Sequence, residues 1–396
     1  MIAVFLAPIY IILCIYLGWR LIRWMRSCHD LFGRKGVQVL VLLVFVFAAA
    51  SPLTAFLLPA SPIRTALKQL GNYWLGILLY LLLVLAVAEL LRLFLKKVSF
   101  PGKEKLFSRK GSAAAGIVCV LCLVLVSVYG ILNARNIRTT DYTVKIEKDG
   151  GNLEKLHIVL VADLHLGYNT GSTMMAQMVN KINQQDPDLV VIAGDIFDNE
   201  FEAIPDPEKT AQTLRGIQSR YGVYACYGNH DIQEKILAGF TFEQEEKKVS
   251  DPQMDVFLED AGIELLRDEG VLIENSFYLY GRPDYARPGR GITVRKTPEE
   301  ITAQMDLSKP VIVIDHQPKE LEELAQAGVD LDLCGHTHDG QVFPGNILVS
   351  LMWENSCGYL RKGEMHNIVT SGVGVFGPNM RVGTRSEICS IWVEFQ

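Results

Sequence analysis

Apolar and polar positions follow two different patterns along the chain. Four long apolar runs lie at about residues 3–19, 37–58, 73–95 and 112–132, separated by short loops. Each run approaches or exceeds the ~20 residues that a helix needs to cross a bilayer, so residues 1–132 are predicted to form four membrane spans. Beyond them, 133–154 reads as a polar connector. Residues 155–396 then have the mixed pattern of a globular domain, long enough to bury a core as one unit.

Within 155–396 the apolar periodicity alternates between strand and helix. Leu156–Ala162, Asp188–Ala193 and Gly222–Tyr227 read as buried strands, and Ser172–Gln185 and Pro207–Ser219 as the helices between them. Phe277–Gly281, Val311–Asp315, Asn367–Ser371 and Ile388–Phe395 are further strands. This order predicts an α/β fold in which two packed β-sheets, a β-sandwich, are flanked by helices. The charged stretch from Ile232 to Met254 has no clear period and reads as a lid-like or solvent-facing insertion, with Phe240 and Phe242 as its aromatic residues.

Loop charge sets the predicted orientation. The first loop carries Arg20, Arg23, Arg26, Arg34 and Lys35; the third carries Arg92, Lys96, Lys97, Lys103, Lys105, Arg109 and Lys110. The second holds only Arg64 and Lys68. Loops one and three are therefore cytoplasmic, and 155–396 is predicted to lie on the extracytoplasmic face of the cell membrane. The first run has no basic residues before it and several after it, which argues for a span over a cleaved leader. Inside the runs only Glu89 and Arg92 are charged, three apart on one helical face, and a local ion pair accounts for them. The spans read as an anchor.

A formal charge of −6 without a basic stripe argues against nucleic acid as a partner. Of the eight cysteines, Cys14, Cys28, Cys119 and Cys122 lie in or beside the apolar runs and read as small hydrophobes. The residue pattern allows buried thiols or disulfides among Cys226, Cys334, Cys357 and Cys389.

Five short segments carry the chemistry: Asp163-Leu164-His165, Gly194-Asp195-Ile196-Phe197-Asp198, Gly228-Asn229-His230-Asp231, Asp315-His316 and Gly335-His336-Thr337-His338. Each follows a predicted strand, and they hold five of the eight histidines. A polar turn explains any one of them; five together predict a metal site. Asp163 and His165 share a face because they are two apart in extended chain. Asp195 is the carboxylate placed to bridge two ions, Asn229 offers a neutral oxygen, and His316, His336 and His338 complete a set of nitrogen and oxygen donors. That mixture suits manganese, iron or zinc better than calcium. His230 is placed to protonate a leaving oxygen, with Asp231 expected to orient its ring. Arg282, Arg287, Arg290 and Arg295 cluster in a Gly/Pro-rich loop that reads equally as a solvated loop or an anion-binding one, the first three being candidate substrate contacts.

These five segments resemble the calcineurin-like metallophosphoesterase superfamily, with its D-x-H, G-D-x-x-D, G-N-H-D, single-histidine and G-H-x-H motifs. The likeness covers about residues 155–396, and Gly340-Gln341-Val342-Phe343-Pro344 is similar to the bacterial membrane-associated branch. Arg385-Ser386-Glu387-Ile388 departs from the Arg-Pro-Glu-Ile of that branch, in a loop. The resemblance implies a dinuclear centre. Asp163, His165 and His338 would hold one divalent ion; Asn229, His316 and His336 would hold the other, with Asp195 bridging and His230 acting on the leaving group.

The expectation is thus a membrane-anchored phosphohydrolase. It would cleave a phosphoester or pyrophosphate, with a lipid-linked or cell-envelope substrate in view, through a hydroxide shared by two metal ions. A nucleotide or cyclic-nucleotide phosphodiesterase is the enzymatic alternative, and a non-catalytic sensor of phospholipid headgroups the alternative from another class.

Overall fold

The structure, a computed structural model, describes residues 2–233, 236–237, 240–241 and 251–396. They gather into two compact units: one holds residues 1–131 with the short pieces 236–243 and 377–380, and the other holds the rest.

The first unit is helical: α1 (Ile2–Cys28), α2 (Lys35–Leu57), α3 (Pro62–Lys97), the short α4 (Lys103–Phe107) and α5 (Arg109–Ala134). Four of these are long and apolar enough to cross a membrane. Each extends past its apolar run, because polar residues at the ends continue the helix. At α3, Ser61 accepts a hydrogen bond from the Arg64 N–H at 3.3 Å, and Pro62 fills the first turn, where no donor is needed. Leu17, Ala49, Trp74 and Leu78 pack together, and the Trp74 indole donates to the Tyr10 hydroxyl at 2.8 Å, which donates to the Ala49 carbonyl at 2.6 Å. Elsewhere large apolar side chains such as Leu43, Leu57, Leu90 and Leu125 are exposed, as lipid-facing residues are. Glu89 pairs with Arg92 at 3.3 Å, as the spacing predicts, and also with Arg20 of α1, which local spacing does not reveal.

The second unit contains two six-stranded sheets. β1 (Ile137–Ile146), β2 (Lys155–Val161), β3 (Leu189–Ala193) and β4 (Val223–Cys226) belong to the first. A small hairpin of β5 (Ile236–Leu237) and β6 (Phe240–Thr241) follows in the chain; the remainder of the expected insertion up to 250, Phe242 included, lies outside the described residues. β7 (Glu264–Leu265) and β14 (Ser386–Phe395) complete the first sheet, in the order β1-β14-β2-β3-β4-β7. β8 (Glu269–Ile273), β9 (Phe277–Gly281), β10 (Val311–Ile314), β11 (Leu331–Cys334), β12 (Gly358–Lys362) and β13 (Met365–Val369) form the second, in the order β12-β13-β11-β10-β9-β8.

Period-two alternation decides which side chain faces which layer. Leu156, Ile158 and Leu160 of β2 join Leu279, Ile312, Ile314, Leu331 and Leu333 in the core between the sheets. Val159 and Val161 point the other way, into a layer with Met175, Met178 and Ile182 of α6 (Ser172–Asn183), Leu214 of α7 (Pro207–Leu214) and Phe257 of α8 (Pro252–Asp260). The outer face of the second sheet packs Val311 and Val313 against Ile301 of α9 (Pro298–Thr302) and Leu324 of α10 (Leu321–Gln326). A last helix, α11 (Gly345–Met352), buries none of its residues. This is the expected sandwich of two sheets flanked by helices.

The region read as a connector, 133–154, is different: it contains β1, paired in parallel with β14 from Ile137–Ser386 to Ile146–Phe395. β1 is an edge strand with Arg138, Asp141, Thr143 and Lys145 among its positions, and these polar residues mask its strand character. All eight cysteines are free thiols, so none of the disulfides the sequence allows forms.

Asp332 is wholly buried in β11; its Oδ2 accepts from Asn367 Nδ2 at 2.9 Å and from Cys334 Sγ at 3.2 Å. Burial and then the Asp315 charge push its pKa up to about 7. A carboxyl raised above its unfolded value of ~3.9 contributes stability that is fully present below that value and lost as pH climbs through about 7. Asp332→Asn should leave stability near pH 4 little changed and raise it at pH 8, on the order of 2 kcal/mol. Urea unfolding at the two pH values checks this, and a loss at pH 8 would contradict it.

Candidate metal centre

β2, β3 and β4 run parallel to one another, as do β9, β10, β11 and β13. The C-terminal ends of each parallel set therefore open at one edge, where open α/β sheets place their ligands. The five segments sit there: Asp163 and His165 after β2, Asp195 after β3, Asn229 and His230 after β4, His316 after β10, and His336 and His338 after β11.

The turns that aim these side chains are strained. Asp163 (φ 54°), His165 (φ 44°), Asp195 (φ 49°), His336 (φ 74°) and His338 (φ 52°) all occupy the left-handed region without being glycine. Each such residue costs about 1–2 kcal/mol and persists only where its surroundings over-determine it. Here the Asp163 N–H donates to the Gly194 carbonyl and the His165 N–H to the Asp195 carbonyl, each at 3.0 Å. Gly194 has φ 77°, and a β-carbon there would strike Gly228 N and the His316 ring. Only glycine lets the three loops close.

Two groups of donor atoms result. Asp163, His165 and His338 converge within 4.8 Å of one another, as do Asp195, His316 and His336. His165 Nε2 and His338 Nε2 face each other at 3.0 Å, and His338 Nε2 is 3.6 Å from Asp163 Oδ1. In the second group His316 Nε2 lies 3.1 Å from both His336 Nδ1 and Asn229 Oδ1. Asp195 Oδ2 stands between the groups, 3.2 Å from His316 Nε2 and 3.8 Å from His165 Nε2.

Electrostatics separates the roles further. Burial pushes Asp163 up to about 6. Burial would also raise Asp195, but His316 and His230 outweigh it and hold that carboxylate well below its usual range. Burial opposes charge on His316 as well, yet Asp195 keeps it readily protonated. His336, buried and beside His316, drops to about 3; His338 is also lowered, by burial and His165. His336 and His338 are thus neutral and Asp195 ionised, as a divalent cation requires, and a bound cation would displace the protons that His316 and Asp163 favour. The donor set fits one.

The surroundings include residues that motif reading passed over. His230 Nδ1 bonds to Asn199 Oδ1, not to Asp231 as expected. Asp231 turns inward instead, where its carboxylate accepts from the Phe197 N–H at 2.8 Å and the Gly228 N–H at 2.6 Å. It ties two strand ends together. Asn199 directly follows Asp198 of the second motif, and that adjacency was the available signal. Arg381 is buried: it donates to the carbonyls of Ser371 at 2.6 Å, Gly374 at 2.8 Å and His338 at 3.2 Å, and approaches His338 Nδ1 at 3.3 Å. Nothing local in the sequence marks it. Phe376 borders His230, with ring centres 4.4 Å apart.

The arginine loop is mostly committed elsewhere. Arg282 is wholly buried and pairs with Asp315 and Glu320, each at 2.7 Å; Arg295 pairs with the same two carboxylates at 2.9 and 2.6 Å. Arg290 lies over the Tyr227 ring and binds Asp255 at 3.1 Å and the Asp231 carbonyl at 2.7 Å. Arg287 is half-buried, and its N–H donates to Asp284 at 2.8 Å. For Arg282 the solvated loop and the substrate contact both give way to an internal clamp on Asp315 and Glu320, which flank His316. His157, against Ser390 Oγ at 2.9 Å, and His366, against the Lys145 carbonyl at 2.9 Å, stand apart from the centre.

The sequence profile of the calcineurin-like phosphoesterases matches residues 156–340. A zebrafish (Danio rerio) relative described as a transmembrane protein with metallophosphoesterase domain is 30% identical over 93% of this chain and 84% of its own. A metallophosphoesterase of Campylobacter jejuni is 31% identical over 69% of this chain and 68% of its own. A UDP-2,3-diacylglucosamine pyrophosphatase of Chlamydia trachomatis is 20% identical over 52% and 70%. The chain belongs to the calcineurin-like metallophosphoesterases, a family of metal-dependent phosphoester hydrolases, and it is a membrane protein of that family.

Binding to the folded state alone raises its stability. Metal-depleted protein should therefore melt at a higher temperature when Mn²⁺ or Zn²⁺ is added, and Asp195→Asn should lose most of that rise. Equal rises in both proteins would remove Asp195 from the donor set.

Proposed function

We propose that this chain is a dinuclear phosphohydrolase in which residues 1–132 anchor the protein and the following unit hydrolyses a phosphoester or pyrophosphate at the outer membrane–water boundary. The position of Asp195 Oδ2 carries the reading: one carboxylate oxygen faces the donors of both groups, at 3.2 and 3.8 Å. Asp163, His165 and His338 would hold one ion and Asn229, His316 and His336 the other, with Asp195 between them; manganese, iron and zinc suit this set. Two such ions supply Lewis acidity to the phosphoryl oxygens and an activated water at neutral pH.

The chain's own contribution is proton control at the leaving group. The Asn199 carbonyl oxygen fixes the proton of His230 on Nδ1, which leaves Nε2 toward the substrate. Burial lowers His230 to about 4, so the ring is neutral near pH 7. A phosphoryl oxyanion brought against Nε2 favours the protonated ring, so the ring takes up a proton from solvent as substrate binds and can then give it to the departing oxygen. Phe376 stands against that ring, with centres 4.4 Å apart.

His230→Ala should slow hydrolysis of an alkyl ester about 10²–10⁴-fold and of a p-nitrophenyl ester far less, since nitrophenolate leaves without a proton. Steady-state rates across esters of graded leaving-group pKa check this, and an equal loss on every ester would refute the acid role. Asp195→Asn should abolish turnover of all of them.

The loop charges support an extracytoplasmic site, and the Chlamydia relative's name supports a pyrophosphate bearing acyl chains as substrate class. Added protease should therefore digest residues beyond 140 in right-side-out membrane vesicles and spare them in inverted ones; the opposite pattern would place the site in the cytoplasm.

A further inference from the structure

The segment directly after the His336–His338 turn is apolar to an extent that the site alone does not explain. From Gly340 to Trp353 there is no charged residue. Within it, α11 exposes Ile347, Leu348, Leu351 and Met352 at 49, 60, 79 and 76%. Positions i, i+1, i+4 and i+5 form one stripe on a helix, so these four side chains make a continuous apolar face. Two turns of helix with no buried residue cannot be accounted for by core packing.

Three contacts tie this face to the metal centre. A β-carbon at Gly340, two residues past His338, would collide with the Gly345 backbone, so the first turn of α11 sits directly on the ligand turn. The Gly345 N–H donates to the Val342 carbonyl at 2.7 Å, which fixes the helix start. At its other end Trp353 presents its ring edgewise to His336, with centres 5.2 Å apart. The Lys319 ammonium lies 5.5 Å from the Trp353 ring and 4.4 Å from that of Tyr285. An apolar face thus leads to an indole that stands against His336, with a cation beside the indole.

We infer that α11 is a lipid-contacting surface, which lays the acyl part of an amphiphilic phosphoester along Ile347, Leu348, Leu351 and Met352 while its anionic head passes Lys319 to the metal centre. The occupant is a bilayer lipid for two reasons. The same chain carries four helices apolar enough to cross a membrane, so a bilayer is a surface it meets. An apolar stripe that ends in a tryptophan with a lysine beside it is the combination that interfacial helices present to acyl chains and anionic headgroups. This rests on reading the centre as a phosphohydrolase, and it adds what the substrate's non-reacting part must be.

The test uses the full chain in nanodiscs of phosphatidylethanolamine and phosphatidylglycerol, with ethyl and hexadecyl p-nitrophenyl phosphate as probes. Leu348→Ser/Leu351→Ser should leave kcat/KM for the ethyl ester unchanged and lower it for the hexadecyl ester about tenfold, or ~1.4 kcal/mol. A fall on both esters alike, or on neither, overturns the inference. If the unaltered chain cleaves neither ester with any divalent metal, the hydrolase reading fails first, and photocrosslinking decides the surface separately. With benzoylphenylalanine in place of Leu351, a phospholipid adduct supports the inference. Adducts only with a second copy, or only with the chain's own apolar helices, overturn it.

Discussion

A carboxylate that faces two clusters of imidazoles from one buried position is hard to build. Asp195 has to be ionised where burial opposes charge, and the neighbouring His316 compensates at 3.2 Å. It has to point sideways from the end of β3, which requires a left-handed backbone at Asp195 itself and a glycine before it. The flanking loops have to stay close without filling the space, so Gly228 and Gly335 meet Asp195 and Asp163 where any β-carbon would clash. The parallel strands supply the rigid frame that holds all of this in place. Helices on both outer faces then let those strands be apolar throughout.

The sandwich and the gathering of the candidate donors at one edge were legible in the sequence for a common reason. Strands buried on both faces are short apolar runs, and each donor lies one to four residues past the end of such a run, as Asp195 follows Ala193. Sequence distance therefore stood in for spatial distance. Where it did not, the reading missed. Asp231 is adjacent to His230 in the chain, but the turn sends its side chain back to the Phe197 and Gly228 amides, and Asn199 from another loop takes its expected place. Arg381 reaches His338 across 43 positions, and no spacing rule covers that. The arginine cluster suggested an anion site because like charges stood together, while their partners Asp315, Glu320 and Asp255 came from elsewhere.

Strand β1 shows the same limit in secondary structure. Its burial alternates incompletely, with Ile137, Val144 and Ile146 inside and most of the remaining positions wholly or partly open. A half-exposed edge strand reads like a linker until its neighbour is known. In the helical unit, too, length and apolarity were plain, but the Arg20–Glu89 pair joins residues 69 apart.

The pairing of β1 with β14 also has a consequence for how the protein is made. The strand that follows the last apolar helix finds its neighbour in the final eleven residues of the chain, and β2 pairs with the other edge of that same neighbour. Both are made well before β14, and until it is made β2 has only β3 to pair with and β1 has no strand of its sheet beside it. Two strand edges therefore stay open for more than two hundred residues of elongation. The order of synthesis thus leaves the first sheet open between β1 and β2 until β14 has been made.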